Sequence, residues 1–348
     1  MAGRTRNTKS KRATLADVAK LAGVSAITVS RVLNHPDKVS GDLCHRVREA
    51  IDTLGYIPNQ SASSLASARS QVIGVAIPSL SNIVFNDVLR GIYDVAGAGG
   101  YKVLLADTHY SPIEEEGMIR TLLSQSPEAI IVTGGDQTRS CQRMLSSAAI
   151  PVVQMMEILE QPLDMNIGFS HFNAGFAVGQ KLIACGYQKI GFIGARMDPR
   201  VQQRMAGFKE ALQNQDLYRN EFFATTPSPS SIALGGELLR GLLSTTGGKL
   251  DAVFCCNDDL ALGALFESQR MRVSVPKDLA LCGFNDFETS AFVNPSLSSV
   301  HVPRYEMGVQ AAQMILDVLN DKPLASKQVD IGFELRMRQS TCMPASAQ

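Results

Sequence analysis

The chain has 348 residues and a formal net charge of zero, 33 Lys and Arg against 33 Asp and Glu, with 45% hydrophobic and 19% charged residues. At roughly 100–200 residues per domain this excludes a small disulfide-stapled or disordered chain and predicts two or three domains with ample core. No apolar run approaches the roughly 18 residues of a membrane span, and the N-terminus MAGRTRNTKSKRAT lacks an apolar signal core, which predicts a cytoplasmic chain with no membrane partner.

The zero total hides an uneven distribution. Residues 1–70 hold 11 Lys and Arg and 5 acids, an excess of +6, which leaves the remaining 278 residues at −6. A basic head on an acidic body predicts that the head, and not the body, meets a polyanion. From Thr14 onward, Leu15, Val18, Ala19 and Ala22 recur at helical spacing behind a T-x-x-D capping box formed with Asp17. Gly23 stops that helix, and Ser25 caps a second one carrying Ile27, Val29, Val32 and Leu33. Two short helices joined by the turn Gly23-Val24-Ser25 form a helix-turn-helix pattern. A third helix is predicted from Ser40 to Leu54, with Gly55 as its stop. Residues 60–70 then read as a small-residue linker in which only Leu65 is large and apolar, either packed internally or used as a wedge on DNA.

Beyond Gln71, short apolar runs alternate with helical stretches. The runs are Val72–Ile77, Lys102–Ala106, Ala129–Thr133, Pro151–Met155, Lys189–Ile193, Asp251–Cys255 and Asp278–Cys282. Repeated strand–helix units predict two α/β lobes with parallel, doubly wound sheets and a ligand site beyond the carboxyl ends of the strands. Those ends are polar: Pro78-Ser79, Asp107-Thr108, Gly134-Gly135-Asp136, Ala195-Arg196, Asn257-Asp258 and Asn285-Asp286. Amides, carboxylates, hydroxyls and arginines facing one cleft suit a polyhydroxylated ligand, although each Asn or Asp can equally cap a helix.

The sequence contains no GxGxxG after a strand, no P-loop, no HExxH and no GxSxG, and its five histidines are scattered. The seven cysteines are odd in number and form no CxxC, so they read as mostly buried free thiols. A binding protein is therefore expected rather than an enzyme, with no cofactor and no metal.

The stretch TLADVAKLAGVSAITVSRVLN, followed by LGYIPN, SSLA, IGVAIPSLSN and GFND, resembles the lac-repressor family of bacterial transcription factors, and PSLSNIVFNDVLRG, GARMDPR and FCCNDDLALGALFESQR resemble its gluconate-utilisation members most. The resemblance runs from Thr14 to about Arg338. It implies a DNA-binding repressor with a three-helix head over residues 1–58, a hinge over 59–70, and a two-lobe periplasmic-binding-protein-like sensor. The first lobe would comprise 71–169 with 301–331 and the second 170–300 with 332–348. It also implies a homodimer on a pseudo-palindromic double-stranded operator, with too little chain at the end for tetramerising heptads. Ala26, Ile27 and Arg31 match base-contacting positions; Thr14, Ser25, Thr28, Ser30 and Asn34 suit phosphate contacts; Leu65 matches a leucine that enters the minor groove.

In the sensor, Arg204 matches the family's anchoring arginine and Asn257 and Asn285 match positions that hold hydroxyls; Ser79, Asn82, Phe85, Arg196 and Arg200 are expected near the same effector. Asn285 departs from the family's usual aspartate. An amide there would not repel an acid, so the implied effector is a small sugar acid such as gluconate, bound by arginines. Alternatively Asn285 caps the following helix. Open alternatives are 2-ketogluconate, 6-phosphogluconate or a neutral sugar as effector, and, from other classes, a sugar-binding protein with an incidental head or a sugar-converting enzyme.

Overall fold

The computed structural model describes residues 13–57 and 69–341, in two separate units that divide after Ser70. The first unit has three helices, α1 (Leu15–Ala22), α2 (Ala26–Asn34) and α3 (Gly41–Leu54). The capping box forms: the Asp17 amide donates to Thr14 Oγ1 at 3.3 Å and the Thr14 amide to Asp17 Oδ2 at 2.9 Å. Gly23 adopts the left-handed conformation that ends α1, with φ at 67°. Ser25 Oγ accepts from the Thr28 amide at 3.2 Å and starts α2. The three helices enclose Val18, Ala19, Ala22, Val29, Val32, Cys44, Val47 and Ala50, and Arg46 Nη2 donates to the Ala22 carbonyl at 2.6 Å, fixing α3 against the end of α1.

The second unit contains two six-stranded sheets. The first has the order β11-β5-β4-β3-β1-β2, with β1 Val72–Ile77, β2 Lys102–Asp107, β3 Ala129–Thr133, β4 Val152–Met155, β5 Met165–Gly168 and β11 Gln328–Asp330. The other has the order β12-β10-β9-β8-β6-β7, with β6 Ile190–Ala195, β7 Phe223–Thr226, β8 Ala252–Cys255, β9 Ala280–Asn285, β10 Ser298–His301 and β12 Glu334–Arg336. All ladders are parallel except β12, which runs antiparallel to β10. The chain crosses between the sheets after β5, after β10 and after β11, so three strands of backbone join the lobes. The strand order reverses beside β1 in one sheet and beside β6 in the other, and the crevice at such a reversal is where doubly wound sheets take ligands.

The strand expected at Asp278–Cys282 is shifted to Ala280–Asn285, because Asp278 is used in a turn, its Oδ2 accepting from the Ser274 amide at 2.9 Å. Among the described residues Cys44, Cys141, Cys255, Cys256 and Cys282 are buried free thiols, Cys185 is free but exposed, and Cys342 lies outside them.

The helix that matters most for the cleft is α8 (Pro199–Gln213), counting α4 Val84–Ala98, α5 Pro112–Ser124, α6 Arg139–Ser147 and α7 His171–Ala184 before it. It packs against α7 at backbone contact: a Cβ on Gly207 would collide with the Phe172 carbonyl, and one on Gly175 with the Arg204 carbonyl. Only glycine permits that approach. After α8 come α9 Ile232–Thr245, α10 Asp258–Arg270, α11 Glu288–Phe292 and α12 Arg304–Leu319.

Candidate functional site

In the head, α2 exposes one face. On α2 the residues Val29 and Val32 point into the core, while Ala26, Ile27 and Arg31 are exposed, Ile27 by 73%. An isoleucine held in water by the fold, one turn from an arginine, forms a surface that can pack on thymine methyls and hydrogen-bond guanine. Thr14 and Ser25 are exposed, and Thr28 and Ser30 are half-buried. Each hydroxyl of Thr14, Ser25 and Thr28 already serves a helix start: Thr14 Oγ1 bonds Asp17 Oδ2 at 2.6 Å, and Ser25 and Thr28 share a 2.9 Å hydrogen bond. Asn34 is the last residue of α2. Leu65, the expected wedge, lies outside the described residues.

The cleft is built at the carboxyl ends of both sheets. After β6, Asp198 caps α8 through the Arg200 amide at 3.1 Å, and the first turn of the helix carries Arg200 and, four residues on, Arg204 on the same face. Both are buried. Arg200 faces Asp198 at 3.3 Å within its own lobe, and Asp136 at 3.2 Å and Glu157 at 3.7 Å from the loops after β3 and β4 in the other lobe. Burial alone would lower the Arg200 pKa, but the three carboxylates outweigh it and the pKa is raised. Gly134 makes this possible, since it has φ at 73° and a Cβ there would collide with Arg200 Nη1.

Arg204 has a different setting. Its Nε donates to His171 Nδ1 at 3.0 Å, its Nη1 donates to the Cys256 carbonyl at 2.8 Å, and its guanidinium lies 3.7 Å from the centre of the Phe284 ring. Burial lowers its pKa to about 10, and no carboxylate pairs with it among the described residues. His171 Nε2 lies 3.0 Å from the Met156 carbonyl, so the ring donates there and accepts from Arg204, which requires the neutral imidazole. Burial and the neighbouring arginines push the His171 pKa well below 6.5, in agreement.

The remaining expected residues divide into those engaged locally and those left open. Ser79 Oγ lies 2.9 Å from Ser81 Oγ, and Phe85 is buried in the core. Asn257 caps α10, accepting from the Leu260 amide at 3.1 Å, and donates to Ser230 Oγ at 2.7 Å. Asn82 accepts from the Val84 amide at 3.2 Å and donates to Tyr110 Oη at 2.6 Å. Asn285 does not cap the helix after it, whose N-cap is Phe287; its own backbone has φ at 107° and its carbonyl accepts from Arg304 Nη1. Its side chain makes no hydrogen bond to another described residue. Arg196 stands over the Tyr110 ring at 3.9 Å.

The acids beside Asn285 are paired or buried. Asp286 is met by Arg336 at 2.9 Å and Arg338 at 2.7 Å. Asp258 is fully buried, accepts from Ser299 Oγ and the Phe287 amide, each at 2.7 Å, and is pushed up to about 7 by burial. Sequence reasoning marked Asp136 in a polar strand end but missed Tyr110, Glu157, Glu115 and Arg304. Tyr110 lies two residues beyond the marked end Asp107-Thr108, whereas Arg304, which also reaches Asp87 at 3.1 Å, carries no local signal because its partners are remote in sequence.

Two family models match the chain: "Bacterial regulatory proteins, lacI family" over residues 14–59 and "Periplasmic binding protein-like domain" over residues 180–341. The HTH-type transcriptional regulator GntR of Pseudomonas aeruginosa is 42% identical over 97% of this chain and 99% of its own length. Its namesake in Escherichia coli K12 is 38% identical over 94% and 98%. This chain belongs to the lacI family. Among solved structures, a lacI-family transcriptional regulator from Silicibacter pomeroyi superposes with a TM-score of 0.89 at 32% identity, covering 94% of this chain and 99% of that one. GntR from Chromobacterium violaceum gives 0.75 at 38% identity, over 78% and 99%. These relatives are named as regulators, and the lacI-family chain described here is a regulator and not an enzyme.

Two predictions follow from the geometry. Replacing Arg31 by Ala removes the exposed guanidinium of α2 and is expected to cost about 1–3 kcal/mol of operator affinity, with lost discrimination at one base pair, read by anisotropy on operator variants. Glu115, pushed up to about 7 by burial from its ordinary 4.5, holds a proton in the folded state that the unfolded state has released. Stability from this group is therefore present at acid pH and lost as pH rises through about 7. Glu115→Gln, which can still accept from Gln137, is expected to show a smaller fall in Tm between about pH 4.5 and 7 than the parent protein.

Proposed function

We propose that this lacI-family repressor binds a pseudo-palindromic operator as a homodimer in the cytoplasm and is released by a small sugar acid of the gluconate type. The observation that carries the effector class is the cleft's charge: Arg204 and Arg196 have no carboxylate partner among the described residues, and the acids beside Asn285 are neutralised by Arg336 and Arg338 or held near neutral by burial. An acid entering that cleft meets the guanidinium groups of Arg196 and Arg204 and the Asn285 amide, while Asp136, Glu157 and Asp198 are held by Arg200. Arg204 Nη2, Asn285 and the hydroxyl-bearing loops supply donors and acceptors for a polyol chain.

The DNA side of this reading calls for a dimer. One recognition helix reads one half-site, and two related by a twofold axis read the pseudo-palindrome one helical turn apart. Ala26, Ile27 and Arg31 face the bases, Thr14, Ser25, Thr28, Ser30 and Asn34 the phosphates, and Leu65 the minor groove at the centre. The relatives named GntR, and an Escherichia coli relative named IdnR at 34% identity over 94% of this chain, support a regulator of the same type. The effector need only favour the conformation with low operator affinity, because the shift equals its difference in affinity for the two states.

Calorimetry with gluconate, 2-ketogluconate, 6-phosphogluconate and glucose tests the effector class. Gluconate is expected to bind most tightly; glucose as the best ligand would contradict the argument from Arg204, Arg196 and Asn285.

A further inference from the structure

Three arginines reach the cleft from the second lobe, and they are not equivalent. Arg200 is surrounded by Asp136, Glu157 and Asp198, so the field at its guanidinium is already cancelled from within the protein. Arg204 spends Nε and Nη1 on His171 and the Cys256 carbonyl and one face on Phe284. Arg196 differs from both. Its guanidinium lies 3.9 Å from the centre of the Tyr110 ring, and it forms no hydrogen bond or ion pair with a described residue. Stacking uses the face of a guanidinium and leaves the N–H groups along its edge free, which is the geometry that takes a carboxylate in a bidentate pair.

The platform beneath it is also fixed. Tyr110 follows β2 in the first lobe, its hydroxyl accepts from Asn82 Nδ2 at 2.6 Å, and burial raises its pKa, so it stays a neutral ring at physiological pH. The backbone of Arg196, with φ at 65°, is held by its amide, which donates to the Ser228 carbonyl at 2.8 Å. The stacked pair spans the two lobes, one partner from each.

We infer that Arg196, held on Tyr110, is the residue that reads the effector's carboxylate, and that Tyr110 and Asn82 position it. Arg204 then serves the hydroxyl chain, and Arg200 braces the lobes without selecting charge. This assignment rests on the sugar-acid reading above. It makes charge recognition depend on lobe closure, since the guanidinium and its platform come from opposite lobes.

The test compares gluconate with gluconamide, the neutral amide of the same carbon chain, by calorimetry on the full-length protein. The readout is the ratio of the two affinities, which is insensitive to any inactive fraction because both ligands count the same sites. A charge-assisted pair predicts that the parent protein prefers gluconate by about tenfold or more. Arg196→Gln is expected to bring that ratio close to one, Arg196→Lys to restore part of it, and Tyr110→Leu, which removes the platform but keeps the charge, to lower it. Arg196→Gln with an undiminished preference would overturn the inference while leaving the sugar-acid reading intact. A parent protein that binds the two ligands equally, or neither, would overturn the sugar-acid reading and this inference with it.

Discussion

A guanidinium taken out of water must be paired or hydrogen-bonded, and the sensor is arranged around two of them on one face of α8. Leaving either cation unpartnered would cost several kcal/mol. Arg200 finds its partners in the opposite lobe, at Asp136 and Glu157, and Arg204 reaches the first lobe through neutral His171 and the Met156 carbonyl. The helix can present them at that depth because α7 and α8 meet at glycine, and the carboxylates can reach them because Gly134 lets the first lobe's backbone come close. The same contacts that satisfy the arginines therefore tie the two lobes together across the ligand crevice.

That arrangement separates two kinds of positive charge. A cation neutralised inside the protein holds lobes together, whereas a cation with free edges attracts an anion from solvent. A ligand that uses the second kind adds contacts between lobes only when they are closed, so its binding energy favours closure. The zero net charge of the whole chain has the same character. It is a cancellation between a basic head and an acidic sensor, and it directs a polyanion to the head.

Much of this was legible in the sequence because the signals are local. The capping box at Thr14 and Asp17, the glycine at 23 and the cap at Ser25 each act within four residues, and all three form. The apolar runs of the central strands were equally clear. Strands such as Met165–Gly168, Ser298–His301 and Glu334–Arg336 were not, since they are short and polar and owe their conformation to neighbours in the ladder. The cleft divided in the same way. Arg204 and Asn285 could be placed by motif, but the difference between Arg196 and Arg200 lies mainly in Asp136, Glu157 and Tyr110, all remote in sequence, and no spacing in the sequence encodes it.

The most direct test of the account is fluorescence anisotropy of a labelled operator bound by the full-length protein, titrated with gluconate at fixed salt. The account predicts that operator affinity falls as gluconate rises and saturates with the effector's own binding curve. Affinity that rises, or that stays constant while gluconate demonstrably binds, would contradict it.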